Sequence, residues 1–562
     1  MSTLPPNFRQ QFLSGPRCLA LLLCLYCLLS LYGLGSWGLI ETSEARYAEM
    51  GREMYLSGDV LHPTILGVRH YHKPPLTYAI TAFAYQLFGV STWSARIFLQ
   101  IGLWLQLLLV YRIGRLLLPK RRTALWATAI FASFPILLIA SRNLTTDLYL
   151  NTFLLGGVWA FLRSERGSRP VGWLLLAYAI WGLAALTKGA GVVILPAVLL
   201  PAWYLLHPPA GWWRLIGRHL LGAAIFLPIG LSWYLALIAE DGALLHYFLV
   251  EQTIQRYTND QWSRNQPVWY YLATVTATTL PWLFAVLAHG RHWRPNSNTW
   301  WFAAWFFVPI AFYSFAQSKL ILYVLPAYAG LAFLGAQWLG AASAGAVDRW
   351  KRIAQWFFSL VFVALLLAPW VGLGVNASVP YFLWGMAGLI ALWVLPSRMH
   401  GLTPNGAERL VAVALLFPVV LLPTGTEFLA HNELLVNSPA PLTDRLREEG
   451  LADHDVYSLE RELPAVAFGL QTPLNELYRG DMPRDTSRET NPAWRLRWYD
   501  IDEAAVRDSL SRRWAERPTV VVAYRKPRGT LRRWLQGLGQ HDSIGRYTYY
   551  YNQPQPTGAG KP

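Results

Sequence analysis

Apolar runs of roughly 17–25 residues recur from about residue 18 to about residue 428, each long enough to cross ~30 Å of hydrocarbon as a helix. Nothing constrains this chain more. In lipid every backbone N–H and C=O must be satisfied within a helix or a closed barrel. A barrel needs alternating segments of about ten residues, and these are not found in the sequence. With 562 residues, 54% of them hydrophobic and 14% aromatic, the chain reads as an α-helical polytopic membrane protein.

The three cysteines, Cys18, Cys24 and Cys27, all fall in the first run, so they give neither a disulfide framework nor a metal spacing. That run is too long for a signal-peptide core and lacks a small-residue cleavage site, so it is expected to be retained. The net charge of +16 is scattered over short loops, which fits the positive-inside rule rather than a nucleic-acid groove. Anionic lipid headgroups or phosphate-bearing substrates are the partners it suggests.

The basic clusters also set an orientation. Arg9 and Arg17 place the N-terminus in the cytoplasm, so a span near 18–39 runs outward and Glu41–Pro75 is extracytoplasmic. Arg112–Arg122 returns to the cytoplasm after one crossing, Trp93–Tyr111, which leaves Leu76–Phe88 as a short helix at the outer interface. Later clusters at Arg163–Arg169, Arg214–His219, Arg291–Arg294, Arg349–Arg352 and Arg398–His400 keep the alternation. The expected total is about thirteen helices of ~20 residues. Asn143–Asp147, Thr187-Lys188-Gly189, Glu240–Gln266 and Ser318-Lys319 then share the outer side with the first loop.

The expected division is a membrane domain over 1–428, with outer juxtamembrane helices within 40–92, and an extracytoplasmic α/β domain over 429–562. β-Type runs at Thr519–Tyr524 and Tyr547–Tyr551 indicate the latter, and a Pro/Gly-rich tail closes the chain.

Charge concentrates in the first loop, although only 14% of the chain is charged. Glu41, Glu44, Ala45, Ala48 and Glu49 have i, i+3, i+4 spacing, so a helix capped by Thr42 or Ser43 and stopped near Gly58 aligns the acids. Such a helix serves a site or lies as an amphipathic element in the headgroup layer, and spacing alone leaves both open. Lys73-Pro74-Pro75 holds a cation on a stiff extended backbone, suited to a phosphate as a point charge.

Ser43-Glu44-Ala45-Arg46-Tyr47-Ala48-Glu49, Arg52-Glu53-Met54, Ser57-Gly58-Asp59, Lys73-Pro74-Pro75 and Leu87-Phe88-Gly89 resemble the first periplasmic loop of the ArnT-like glycosyltransferases. These belong to the GT-C superfamily with the protein O-mannosyltransferases. The resemblance continues at Thr145-Thr146-Asp147, Thr187-Lys188-Gly189 and Ser318-Lys319-Leu320…Tyr323. It implies a GT-C fold and inverting transfer from a polyprenyl-phosphate sugar at the outer face of the bacterial inner membrane. The donor would be undecaprenyl-phosphate-linked, the sugar for instance 4-amino-4-deoxy-L-arabinose, and the acceptor a lipid A phosphate, another glycolipid or a protein. By position, Arg46, Tyr47, Lys73 and Tyr323 would meet the donor phosphate, with Lys319 and Arg256 as further candidates. Glu44, Glu41 and Asp147 would be the catalytic acids.

Several of these residues have plainer readings. Tyr47 can be an interfacial anchor, Asp147 a helix cap, Lys188 a snorkelling helix end and Arg256 a solvated loop cation. Two positions depart from the family. Ser43 stands where an aspartate is usual, and Glu41 can reach the same place. His72 replaces a glutamate, which leaves a divalent metal open but unassigned; no other cofactor is implied. A monomer is expected. Because an acceptor phosphate is already anionic, it needs steering more than a base, so Ser43 bears on acceptor identity. A protein O-glycosyltransferase is the alternative within enzymes. A polyprenyl-linked sugar transporter is the alternative outside them, disfavoured by the scarcity of mid-span charge and of repeats.

Overall fold

The computed structural model describes residues 15–41, 43–255, 266–290, 296–399, 406–480 and 492–552. Compactness divides the chain into two units. The first takes the described parts of Met1–Leu34, Arg96–Ala236 and Phe248–His431. The second takes those of Gly35–Ala95, Leu237–Tyr247 and Asn432–Pro562.

The first unit is helical. Among the described residues of the chain, six helices are long and apolar enough to cross a membrane, or nine if each of three bent pairs is one span. Arg121–Ala132 and Pro135–Arg142, for example, meet at 62°. Pro135 cannot donate to the preceding turn, so the helix stops and restarts there. The first apolar run forms a helix only over Gly15–Leu29, shorter than the expected span to residue 39. It ends in turns at Ser30, whose hydroxyl donates to the Cys27 carbonyl at 2.7 Å, and at Gly33, whose φ of +59° favours glycine. Thr92–Leu117 is one helix of 26 residues, as the single crossing requires. Gly406–His431 is buried along most of its length and apolar all round, the pattern of a central helix. Its buried Glu408 is neutralised by the Arg122 guanidinium at 2.5 Å.

The second unit combines a loop-derived layer with an α/β sheet. A short hairpin, β1 (Thr64–Ile65) and β2 (Val68–Arg69), follows the helix Ser43–Ser57. The main sheet contains β3 (Asp455–Leu459), β4 (Asn475–Tyr478), β5 (Trp498–Asp500), β6 (Thr519–Ala523), β7 (Gln540–Ile544) and β8 (Tyr547–Tyr551). Its order is β5-β4-β3-β6-β8-β7, with β3 through β6 parallel and the last two strands antiparallel. Alternation along the strands builds two cores. Val520, Val522, Tyr547 and Tyr549 face Leu442, Val466 and Ala467, while Val521 and Tyr550 face Leu510, Trp514 and Leu535. Met50, Met54 and Ile65 of the first loop and Tyr78 of the helix Leu76–Phe88 complete the former cluster, so that segment contributes to the core of the α/β unit. The closing tail from residue 553 lies outside the described residues.

Candidate active site

The expected first-loop helix forms over Ser43–Ser57 and ends at Gly58, whose φ is +69° and whose N–H donates to the Met54 carbonyl at 2.9 Å. Its start is held by Glu44. One carboxylate oxygen accepts the Ile40 N–H at 3.0 Å, reaching back over the first turn. Thr42, the other expected cap, lies outside the described residues.

The helix does not have the burial of a headgroup-layer element. Glu44 is 1% exposed, and Glu49 and Arg52 are also buried, whereas Leu56 is 65% exposed. Arg52 donates Nε and Nη2 to the two oxygens of Glu49 at 2.8 and 2.6 Å. A fork pair of this kind meets the hydrogen-bonding demand of two buried charges. Gly51 allows the close approach of helix Leu76–Phe88, since a Cβ there would stand 2.8 Å from Thr81 Cγ2.

Glu41 precedes this helix and is buried. Its Oε1 accepts the N–H of Ala465, in the first turn of helix Pro464–Leu470, at 2.8 Å. Burial pushes the carboxyl up to about 8, against the opposing pull of that hydrogen bond and of Arg461 and Arg46. Glu49 is pushed up to about 7 by burial despite Arg52.

Arg46 is half-buried, and its Nε is buried without a hydrogen-bond acceptor among the described residues. Such a donor is costly to leave unmet and is available to an anionic ligand. Tyr47 stacks on the buried Tyr78, with ring centroids 5.6 Å apart. Lys73 is half-buried just before the helix Leu76–Phe88. Pro75 departs from the extended backbone expected there, since it takes helical angles and occupies the N-cap. The rings of His70 and His72 lie 3.9 Å apart. Among the described residues no group of three His, Cys, Asp or Glu converges in the manner of a metal site.

A second group of candidates lies in the membrane unit. Thr145, rather than Asp147, is the N-cap of helix Thr146–Arg166, and it accepts the Asp147 N–H. The Asp147 carboxylate is therefore left to pair with the Lys188 ammonium, both side chains being nearly buried. Lys188 also lies 4.1 Å from the ring centroid of Tyr323. Tyr313 neighbours Tyr323 with centroids 5.9 Å apart. Gly189 has φ +79°, and a Cβ there would meet the Tyr234 hydroxyl at 2.5 Å, so the residue after Lys188 must be small.

Lys319 is engaged elsewhere. Its ammonium donates to the carbonyls of Gln266 and Ala316 at 2.7 and 2.6 Å, joining two loops. Arg256 lies outside the described residues. Within their own units, then, Glu41, Glu44 and Arg46 cluster about the start of one helix, and Asp147 and Tyr323 meet through Lys188. Lys188 was absent from the expected site. Its signal was the Thr-Lys-Gly triplet, where a glycine beside a lone cation marks a tight approach.

Known proteins resemble the chain in sequence and in fold. The family described as dolichyl-phosphate-mannose-protein mannosyltransferase matches residues 72–234. A relative from Pectobacterium carotovorum, an undecaprenyl phosphate-alpha-4-amino-4-deoxy-L-arabinose arabinosyl transferase, is 28% identical over 78% of this chain and 83% of its own. The protein of the same name from Pseudomonas aeruginosa is 28% identical over 81% of this chain and 87% of its own. The crystal structure of ArnT from Cupriavidus metallidurans bound to undecaprenyl phosphate superposes with a TM-score of 0.76. It covers 95% of this chain and 99% of that one at 22% identity, a likeness of fold. In sequence and in fold, then, the chain resembles polytopic membrane glycosyltransferases. The particular resemblance is to the arabinosyl transferases, in agreement with the resemblance of its first loop.

Proposed function

We propose that the chain transfers 4-amino-4-deoxy-L-arabinose from undecaprenyl phosphate to a phosphate of lipid A. The reaction takes place at the outer face of the bacterial inner membrane, with the C-terminal domain in the periplasm. The observation that carries this reading is the similarity, over 81% of this chain and 87% of the relative, to a protein named for that donor. In the transfer an acceptor oxygen attacks the anomeric carbon, the bond from that carbon to the phosphate oxygen breaks, and the lipid phosphate leaves with the electron pair. Arg46, whose Nε has no acceptor among the described residues, and Lys73 neutralise the growing charge on the leaving phosphate. Tyr47 and Tyr323 are further donor-side candidates, behind which stand Arg256 and Lys319, whose ammonium already donates to two loop carbonyls. Glu41, Glu44 and Asp147 remain the acidic candidates, of which Asp147 fixes the ammonium of Lys188. A phosphate acceptor requires no general base, which accords with Ser43 in place of an acid.

The test is reconstitution of the purified chain in liposomes with the aminoarabinose donor and lipid A, followed by mass spectrometry of the lipid. Addition of one pentosamine to lipid A is expected; unmodified lipid A under conditions that turn over a known transferase rules the reading out. The match of residues 72–234 to a protein mannosyltransferase family favours a protein acceptor as the second reading. The same assay with periplasmic protein in place of lipid A separates the two.

A further inference from the structure

The chain reverses its path across the main sheet between β3 and β6. From β3 it steps through β4 to β5 on one side, then crosses to β6 on the other. In open parallel sheets the loops after two such strands diverge and leave a crevice outside their carboxyl ends, where ligands bind. Here Leu459 pairs with Ala523 at those ends, and the loops that follow enclose a cavity of about 410 Å³.

The cavity is basic. Arg461, Arg479, Arg525, Lys526 and Arg528 line it, with Glu460 the one carboxylate among the described residues. Two of the cations are held in place. Arg479 pairs with Glu460, and the Arg461 guanidinium lies 3.8 Å from the ring centroid of Tyr524. Arg525, Lys526 and Arg528 have no carboxylate within ion-pairing distance among the described residues, and all three are exposed. Three like charges within four residues repel unless an anion joins them. The helix Gly529–Gln536 starts from the same loop without a side-chain cap, so its first N–H groups add to the positive potential.

We propose that this crevice binds a phosphate group, as a monoester or diester. Guanidinium forks match phosphate oxygens, and the placement at the sheet's switch point gives them a walled site. The phosphate belongs either to an anionic lipid headgroup or to a soluble phosphorylated sugar. The site lies wholly within the α/β unit and does not depend on the glycosyl-transfer reading.

Hydrogen exchange on the full-length chain in nanodiscs gives a local readout. In nanodiscs of zwitterionic lipid, inorganic phosphate is the probe; in a second series, phosphatidylglycerol replaces part of the lipid and phosphate is left out. Slowing of exchange by at least ~3-fold at the amides of 525–531 by phosphate alone supports a soluble ligand. The same slowing by phosphatidylglycerol supports a headgroup. In either case the triple variant Arg525→Ser, Lys526→Ser, Arg528→Ser must lose the effect. These side chains are exposed, so the fold tolerates their loss. Failure of both probes to slow exchange, or slowing that persists in the triple variant, overturns the proposal.

Discussion

Asp147 and Lys188 form a nearly buried ion pair that joins the start of one helix to the end of another, with the ring of Tyr323 beside the ammonium. Removing either partner leaves an uncompensated charge. Asp147→Asn and Lys188→Met should each lower stability by about 3–5 kcal/mol, and the double variant by less than their sum. Thermal unfolding in detergent reads the cycle. Each single variant should also slow transfer by at least ~10²-fold, with Asp147→Asn acting by releasing the Lys188 ammonium. Additive destabilisation would mean that the two charges are not coupled.

Arg46 and Lys73 are the cations proposed to face the donor phosphate. Arg46→Ala and Lys73→Ala should each reduce transfer by ~10²-fold or more, because a positive charge facing a developing dianion is lost. Normal turnover in both variants, with melting unchanged, places the leaving phosphate against other cations.

Glu44 supports the first turn of its helix through the Ile40 N–H. An amide oxygen can accept the same bond, so Glu44→Gln should retain transfer to a phosphate acceptor within ~10-fold, while Glu44→Ala loses about 1 kcal/mol of stability. Measured side by side on lipid A, an inactive but stable Glu44→Gln would reinstate this acid as a base.

Glu41 makes stability fall as pH rises. Its folded carboxyl titrates at about 8, above the 4.5 of the unfolded chain, so between these values the fold holds a proton that the unfolded state has released. The associated stability is fully present below about 4.5 and is lost by about 8, at up to ~1.4 kcal/mol per pH unit. Glu49, raised to about 7, adds to the same trend. Glu41→Gln should therefore destabilise less than wild type when the pH is taken from 5 to 8. Parallel melting curves for the two proteins would contradict the buried, protonated state.

Orientation is open to a direct experiment. In a cysteine-free background, Val60→Cys should react with an impermeant thiol reagent in intact spheroplasts, and Lys120→Cys only after lysis. Labelling of Lys120→Cys in intact cells inverts the topology.

Much of the architecture was legible because it is local. Ser43 and Gly58 bound the first-loop helix, and β-branched and aromatic residues marked Thr519–Ala523 and Tyr547–Tyr551. What is non-local was not legible. The periodicity of Ala45, Ala48 and Glu49 places them on one face but cannot say that the face is buried, since Leu442 and Val466, which help build the core beneath Met50 and Met54, lie hundreds of residues away. Glu41 as the acceptor for Ala465 is hidden for the same reason. Lys188 stood in view, yet its pairing with Asp147 depends on two helix ends meeting, which no spacing encodes. Hydropathy counts apolar length and cannot detect that Pro135 divides one run into two helices.

The shared cluster of Met50 and Met54 with Leu442 sets a schedule for biogenesis. These residues leave the ribosome nearly 400 positions apart, which at ~5–20 residues per second is a wait of roughly 20–80 s. Throughout that interval the chain that completes the core of the first loop is unmade, while the intervening helices emerge one after another. The loop is an orphan subunit of its own protein. A stall late in translation would therefore leave Met50, Met54 and Tyr78 without their partners and open to proteolysis.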